Sequence, residues 1–215
     1  MLPDLAIIDP SLTASAPRAV TLASGLDAIT QVIEPWLCTR ANPFTDALCR
    51  EAIPRGMKAL RTLMEHECPD SRDEMAWVSL CGGLALANAG LGVVHGLAGP
   101  LGGLSNAAHG ALCGSLLPFG LALNEAQISD ARLRQRFADV RQWLAAGLDS
   151  DPDSAWESLR EWSQRAGLGN LRDLGVPREA LEPAALAASS SSSMKANPVT
   201  LTSEQLLELL EAAWE

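Results

Sequence analysis

The chain has 215 residues, 47% of them hydrophobic, enough for one sizeable core. Its net charge of −10 and isoelectric point near 4.7 repel phosphate backbones and anionic lipid, which argues against nucleic-acid binding and cationic membrane anchoring. The five cysteines (Cys38, Cys49, Cys68, Cys81, Cys113) are odd in number, form no CxxC pair and sit among apolar residues. They read as reduced core side chains of a cytoplasmic protein, not as disulfides or zinc ligands.

The start, MLPDLAIIDPSL, lacks the basic region and long apolar core of a signal peptide. Within it LAIID (5–9) is the one predicted strand, β-branched and closed by Pro10. A single strand needs a partner to be stable. Everything after it reads as helix. The first helix falls between about Pro17 and Cys38, with Ser24 as a candidate N-cap, Leu26, Ile29 and Ile33 on its stripe, and Pro35 expected to kink or end it. Asn42-Pro43 opens the next, with Asp46 in the first turn and Ile53, Met57, Leu60 and Met64 as its apolar stripe. The spacing then predicts a long helix from about Ser71 to Leu97, a turn at GPLGGLSN, and a helix from about Ala107 to Leu123.

Ser129 caps a helix carrying Leu133, Phe137, Val140 and Leu144, which Gly147 ends; Asp153 starts another with Trp156, Leu159 and Trp162, which Gly167 ends. A short helix around Arg178–Ala188 runs into the low-complexity SSSSS (189–193), and Thr202-x-x-Gln205 is a capping box for a terminal helix with Leu206, Leu207 and Leu210. The six tryptophans and His66 carry no chemistry: the former sit mostly on apolar stripes, the latter at a polar helix end. The fold class is therefore all-α, a multi-helix bundle with one short N-terminal strand.

From Ala76 to Asn124 there is no Asp, Glu, Lys or Arg. The tract is long enough for a membrane span. Asn88, His95, Asn106, His109 and many glycines interrupt it, and no basic or aromatic belt flanks it. It reads instead as two central helices buried all round, with no membrane partner.

His95 and His109 lie within this tract, separated by a Gly/Pro turn that would fold both imidazoles toward one point. Asp27 and Gln31 share a face of the first helix at i, i+4 spacing. Asp27, His95 and His109 with an open position form a catalytic-type site for Zn²⁺ or Fe²⁺; Gln31 is a further and weaker ligand candidate, offering only a neutral amide oxygen. Blander readings stand beside this one. Ser24-x-x-Asp27 is equally a capping box, a histidine in an apolar helix is often just a satisfied core residue, and most of the glycines serve close packing.

The words IIDPSLTASAP (7–17), SGLDAITQVIE (24–34), ANPFTDALCREAI (41–53), NAGLGVVHGLAGPLGG (88–103) and AAHGALCGSLLP (107–118) resemble, in order and spacing, the iron-containing (group III) alcohol dehydrogenases. They also resemble the wider dehydroquinate synthase-like group, glycerol dehydrogenases included. The resemblance is strong over about Leu5 to Trp143 and loose beyond. It implies an α/β nucleotide-binding domain followed by an all-helical metal-binding domain, and these 215 residues correspond to the second alone. On that comparison residues 1–16 are a domain-junction strand and linker, 17–125 the metal-site helices and 126–215 peripheral helices, and the N-terminal nucleotide-binding domain is absent.

The resemblance places the family's ligands at Asp27, Gln31, His95 and His109. The second is normally histidine, and a family histidine close to the nicotinamide is replaced by Gly99. Glycerol dehydrogenases manage with one Asp and two His. The implied function is the metal-binding part of an NAD(P)-dependent oxidoreductase acting on small alcohols or aldehydes, with a homo-oligomeric assembly expected. The alternative is a truncated, non-catalytic remnant or interaction module.

Overall fold

The computed structural model describes residues 3–215, which form nine α-helices: α1 (Arg18–Leu37), α2 (Pro43–Glu65), α3 (Pro69–Asn88), α4 (Val93–Leu104), α5 (His109–Ala126), α6 (Ala131–Leu148), α7 (Ala155–Ala166), α8 (Leu181–Ser189) and α9 (Ser203–Trp214). Helix α1 is the central element, packed against α2, α3 and α5; α4 lies between α5 and α8, and α6 and α7 close the far side. The core is aliphatic, with Leu26, Ile29, Ile33, Ile53, Met57, Leu60, Leu97, Leu101, Leu112 and Leu116 fully buried. Trp36 is held edge-on to Trp143, with ring centroids 5.0 Å apart, and the Arg136 and Arg50 guanidinium carbons lie 3.9 Å and 5.6 Å from its ring centroid.

The expected N-terminal strand is not formed. Residues 5–9 form no regular element, with Leu5, Ile7 and Ile8 exposed, and no strand is present among the described residues to supply a ladder. Asp9 instead caps a single 3₁₀ turn, Pro10–Thr13.

Several helix ends also differ from their sequence signals. Ser24 is not a cap: α1 starts six residues earlier, and the Ser24 hydroxyl donates to the Val20 carbonyl inside the helix. That removes the capping-box reading of Asp27. Asn42 does cap α2, reciprocally with Thr45, and Thr202 caps α9 with Gln205. Asp130, not Ser129, caps α6, which runs one residue past Gly147.

The largest departure is in the uncharged tract. The expected Ser71–Leu97 helix is two helices, α3 and α4, which meet at 98° across Ala89–Gly92. Helix α4 then passes through Gly99-Pro100 without stopping, and the break falls at Ser105–Ala108. Contacts remote in sequence make the bend. At Gly92 a Cβ would come within 2.8 Å of Asn197 Oδ1 and 2.9 Å of Glu34 Oε1, so these two side chains occupy the space a side chain at 92 would need. The tract is not buried all round either, since Leu84, Leu86 and Leu104 are exposed. No single helix among the described residues is long and apolar enough to cross a membrane, although the bent α3–α4 pair has the length and composition.

Candidate metal centre

Three helices bring the site together. Asp27, Gln31 and Glu34 lie on one face of α1, at i, i+4 and i+7. His95 sits in the first turn of α4, and His109 is the first residue of α5. Both helix N-termini therefore point at the acidic face of α1, where their dipoles favour negative charge. Helix α5 approaches α1 closely because Gly110 and Gly114 face it; a Cβ at Gly110 would lie 2.5 Å from the Ala23 carbonyl oxygen, and one at Gly114 would lie 2.6 Å from Leu26 Cδ1.

The expected convergence is present. His95 Nε2 lies 3.2 Å and His109 Nε2 3.9 Å from the same oxygen, Asp27 Oδ1, and the two imidazole centroids are 5.5 Å apart. Exposure rises across the site, from 7% for the His95 side chain to 21% for Asp27 and 50% for His109, so the cluster opens to the surface on the α5 side.

Glu34, which the sequence reading passed over, is 6% exposed and accepts from three donors of one segment. Its Oε1 receives the Val94 amide at 2.7 Å, and its Oε2 faces His95 Nδ1 at 2.6 Å and the His95 amide at 3.4 Å. One carboxylate thus caps α4 and fixes which ring nitrogen of His95 carries the proton, leaving Nε2 to face Asp27. Its signal was available, seven residues after Asp27 on the same helical face, but an acidic residue before a proline reads as a helix end.

Cys113 was also missed. It lies one turn after His109 on α5, is buried, and its sulfur is 3.5 Å from His109 Nε2. Asp27, His95, His109 and Cys113 each present a donor atom within 4.8 Å of the others. All five cysteines are free, as expected, and Cys113 is itself part of the buried core; among the described residues it is the one cysteine that also stands in such a group.

Gln31 sits beside this group and donates its amide nitrogen to Asp27 Oδ2 at 3.2 Å, which leaves Oδ1 for the histidines. Gly99, one turn after His95, is exposed, and a Cβ there would meet nothing within 4 Å.

The electrostatics show a site short of positive charge. Burial works against protonating His95, but Asp27, Cys113 and Glu34 outweigh it and push its pKa far up. Burial would raise Asp27, yet the two histidines and Cys113 hold its carboxyl below the usual range. Burial pushes the Cys113 thiol up to about 11. Asp27 Oδ1 and His95 Nε2 are both buried without a hydrogen-bond partner. With the His95 proton on Nδ1 these are two acceptor atoms facing each other at 3.2 Å, an arrangement relieved by a cation between them, either a proton on Nε2 or a metal ion. The residues present therefore fit a divalent metal ion: one hard carboxylate oxygen and two imidazole nitrogens, with a sulfur alongside.

The fold is that of the C-terminal half of iron-containing alcohol dehydrogenases. The Thermococcus thioreducens enzyme superposes with a TM-score of 0.86 at 26% identity, over 99% of this chain and 55% of that one. The Oenococcus oeni alcohol dehydrogenase gives 0.84 at 29%, over 95% and 54%. Residues 21–214 match the family described as Fe-containing alcohol dehydrogenase, C-terminal, and the chain belongs to that family. Among curated relatives, alcohol dehydrogenase 4 of Saccharomyces cerevisiae is 32% identical over 99% of this chain and 55% of its own length, and the lactaldehyde reductase of Escherichia coli is 33% identical over 99% and 56%. The chain spans about half the length of the curated relatives it matches.

Proposed function

We propose that these residues are the metal-binding domain of a nicotinamide-dependent oxidoreductase acting on small alcohols or aldehydes, with Asp27, His95 and His109 holding Zn²⁺ or Fe²⁺. The observation that carries this is the meeting of three donor side chains from three helices at one point, two of their atoms buried and unpartnered. When bound, the metal supplies Lewis-acid polarisation of the substrate oxygen. The chain's own residues do the rest. Asp27 lowers the net charge of the centre, Gln31 orients that carboxylate through Oδ2, and Glu34 aims His95 Nε2. His109, half exposed, lies on the open side of the cluster, where a substrate would approach. The redox step belongs to NAD(P), held by a nucleotide-binding half of the kind the relatives' greater length accommodates.

The reading is tested by the metal content of protein purified without chelator. One Zn²⁺ or Fe²⁺ per chain is expected, lost in Asp27→Ala and His95→Ala with the helical spectrum retained. Metal-free protein that also takes up neither ion on titration overturns the reading.

A non-catalytic interaction module is favoured by one observation. Leu5 (76%), Ile7 (82%) and Leu12 (80%) form an exposed apolar segment, which needs covering. In the oxidoreductase reading the nucleotide-binding half covers it; in the alternative a second copy does, and homo-oligomerisation follows. Sedimentation of the 215-residue chain separates the two: a dimer that dissociates on Ile7→Asp supports self-association, and a stable monomer opposes it.

A further inference from the structure

We infer that Cys113 is a protein ligand of the metal, so that the centre is an Asp–His–His–Cys set that takes zinc in preference to iron. The inference rests on the metal-binding reading above and goes beyond it in naming a fourth ligand and, through it, the ion.

The position of Cys113 argues for this. It follows His109 by one turn on α5, so the imidazole and the thiol project from the same helical face. Gly110 and Gly114 alternate with them on the side pressed against α1, which drives that face onto Asp27. The separations are near those of a coordination shell, with all four donor atoms within 4.8 Å of one another. Zinc bonds of about 2.0–2.3 Å in a tetrahedron put neighbouring donors roughly 3.3–3.7 Å apart. Here Asp27 Oδ1 to His95 Nε2 is 3.2 Å, His109 Nε2 to Cys113 Sγ is 3.5 Å, and Asp27 Oδ1 to His109 Nε2 is 3.9 Å.

The chemistry of the neighbouring positions agrees. Gln31, one turn beyond Asp27, spends its amide nitrogen on Asp27 Oδ2 and brings no imidazole to the centre. In a three-ligand site the buried sulfur of Cys113 would still stand beside the ion, 3.5 Å from His109 Nε2. With the thiol as ligand, the sulfur–hydrogen bond breaks, its proton goes to solvent and a sulfur–metal bond forms, with no redox change. A bound ion supplies the charge that makes this favourable for a buried thiol. One soft thiolate with two imidazoles shifts preference from iron toward zinc.

The experiment is a titration of the full chain, stripped of metal, with Co²⁺ as an optical stand-in for zinc, together with Zn²⁺ competition. The expected result is a near-ultraviolet sulfur-to-cobalt charge-transfer band at one equivalent, displaced by Zn²⁺ more readily than by Fe²⁺. Cys113→Ser and Cys113→Ala should abolish the band and weaken Zn²⁺ binding by more than about 100-fold, beyond the 10–100-fold loss typical of an outer-shell contact. Two variants are used so that a packing defect in either is recognised by its circular dichroism. Stoichiometric Co²⁺ binding without the band, or a band that survives in both variants, overturns the inference while leaving the metal-binding reading intact. A chain that binds neither Co²⁺ nor Zn²⁺ overturns both.

Discussion

At the residue scale, Glu34 and the glycines of α5 have the sharpest consequences. Glu34 touches no candidate donor atom of the centre directly, only the far nitrogen of His95 and two amides. Glu34→Gln keeps the shape and loses the charge, so it should weaken Zn²⁺ binding by about 10–100-fold, measured by competition with a chromogenic chelator. The glycines separate into two kinds. Gly110→Ala forces a Cβ against the Ala23 carbonyl and should lower stability by about 1–3 kcal/mol in denaturant unfolding. Gly103→Ala, on the exposed side of α4 with nothing within 4 Å, should be neutral or stabilising by up to about 1 kcal/mol. Equal losses in the two would show that the α1–α5 approach is not sterically set. The histidines and Asp27 were legible at this scale because unpaired ionisable groups in apolar helices stand out. Cys113 and Glu34 were not, because a buried cysteine and a helix-end acid are ordinary in sequence and become chemical only through what faces them.

At the element scale, α4 shows how a helix can start without a local cap. Its Gly92 N-cap has no side chain to offer, and the orphan amides are met from elsewhere: Asn197 Oδ1 takes Val93 and Glu34 takes Val94 and His95. Asn197 is itself buried and exchanges hydrogen bonds with Asn124 at 2.8 and 3.2 Å. Asn197→Ala should therefore cost about 1–3 kcal/mol and selectively speed hydrogen exchange at Val93, while amides of α2 keep their protection relative to the global loss. Uniform acceleration would mean that α4 does not open as a unit. The caps of α2 and α9 were readable because donor and acceptor lie three residues apart. The break between α3 and α4 was not, since its partners are 60 and 104 residues away along the chain.

At the scale of the whole molecule, a few charged contacts tie the peripheral helices to the site-bearing ones. Glu125, at the end of α5, accepts from Arg141 of α6 at 2.8 Å and from Trp156 of α7 at 2.8 Å. Burial pushes Glu125 up, but those donors outweigh it and hold its carboxyl below its ordinary value of 4.5. A folded-state value below the unfolded one stabilises the protein above the unfolded value, and the contribution is lost as pH falls through the folded one. Metal-free protein should accordingly lose stability on acidification below about pH 4.5, and Glu125→Gln should be less stable at neutral pH with a shallower acid limb. A variant whose thermal midpoint tracks the parent's from roughly pH 3 to 7, a span that includes carboxylate titration, would rule Glu125 out as the coupling group.

The helical class, the family and three of the four clustered donors follow from local pattern: residue spacing, capping pairs and short words read within a few turns of chain. The strand at 5–9 was misread for the complementary reason, that a strand is defined by a partner and none lies among the described residues. Only the packed structure decided where the uncharged tract bends, which carboxylate orients His95, and that a sulfur stands with the oxygen and two nitrogens. Those features depend on groups brought together from distant parts of the chain by burial of the common core. No periodicity along one segment encodes the distance between two segments.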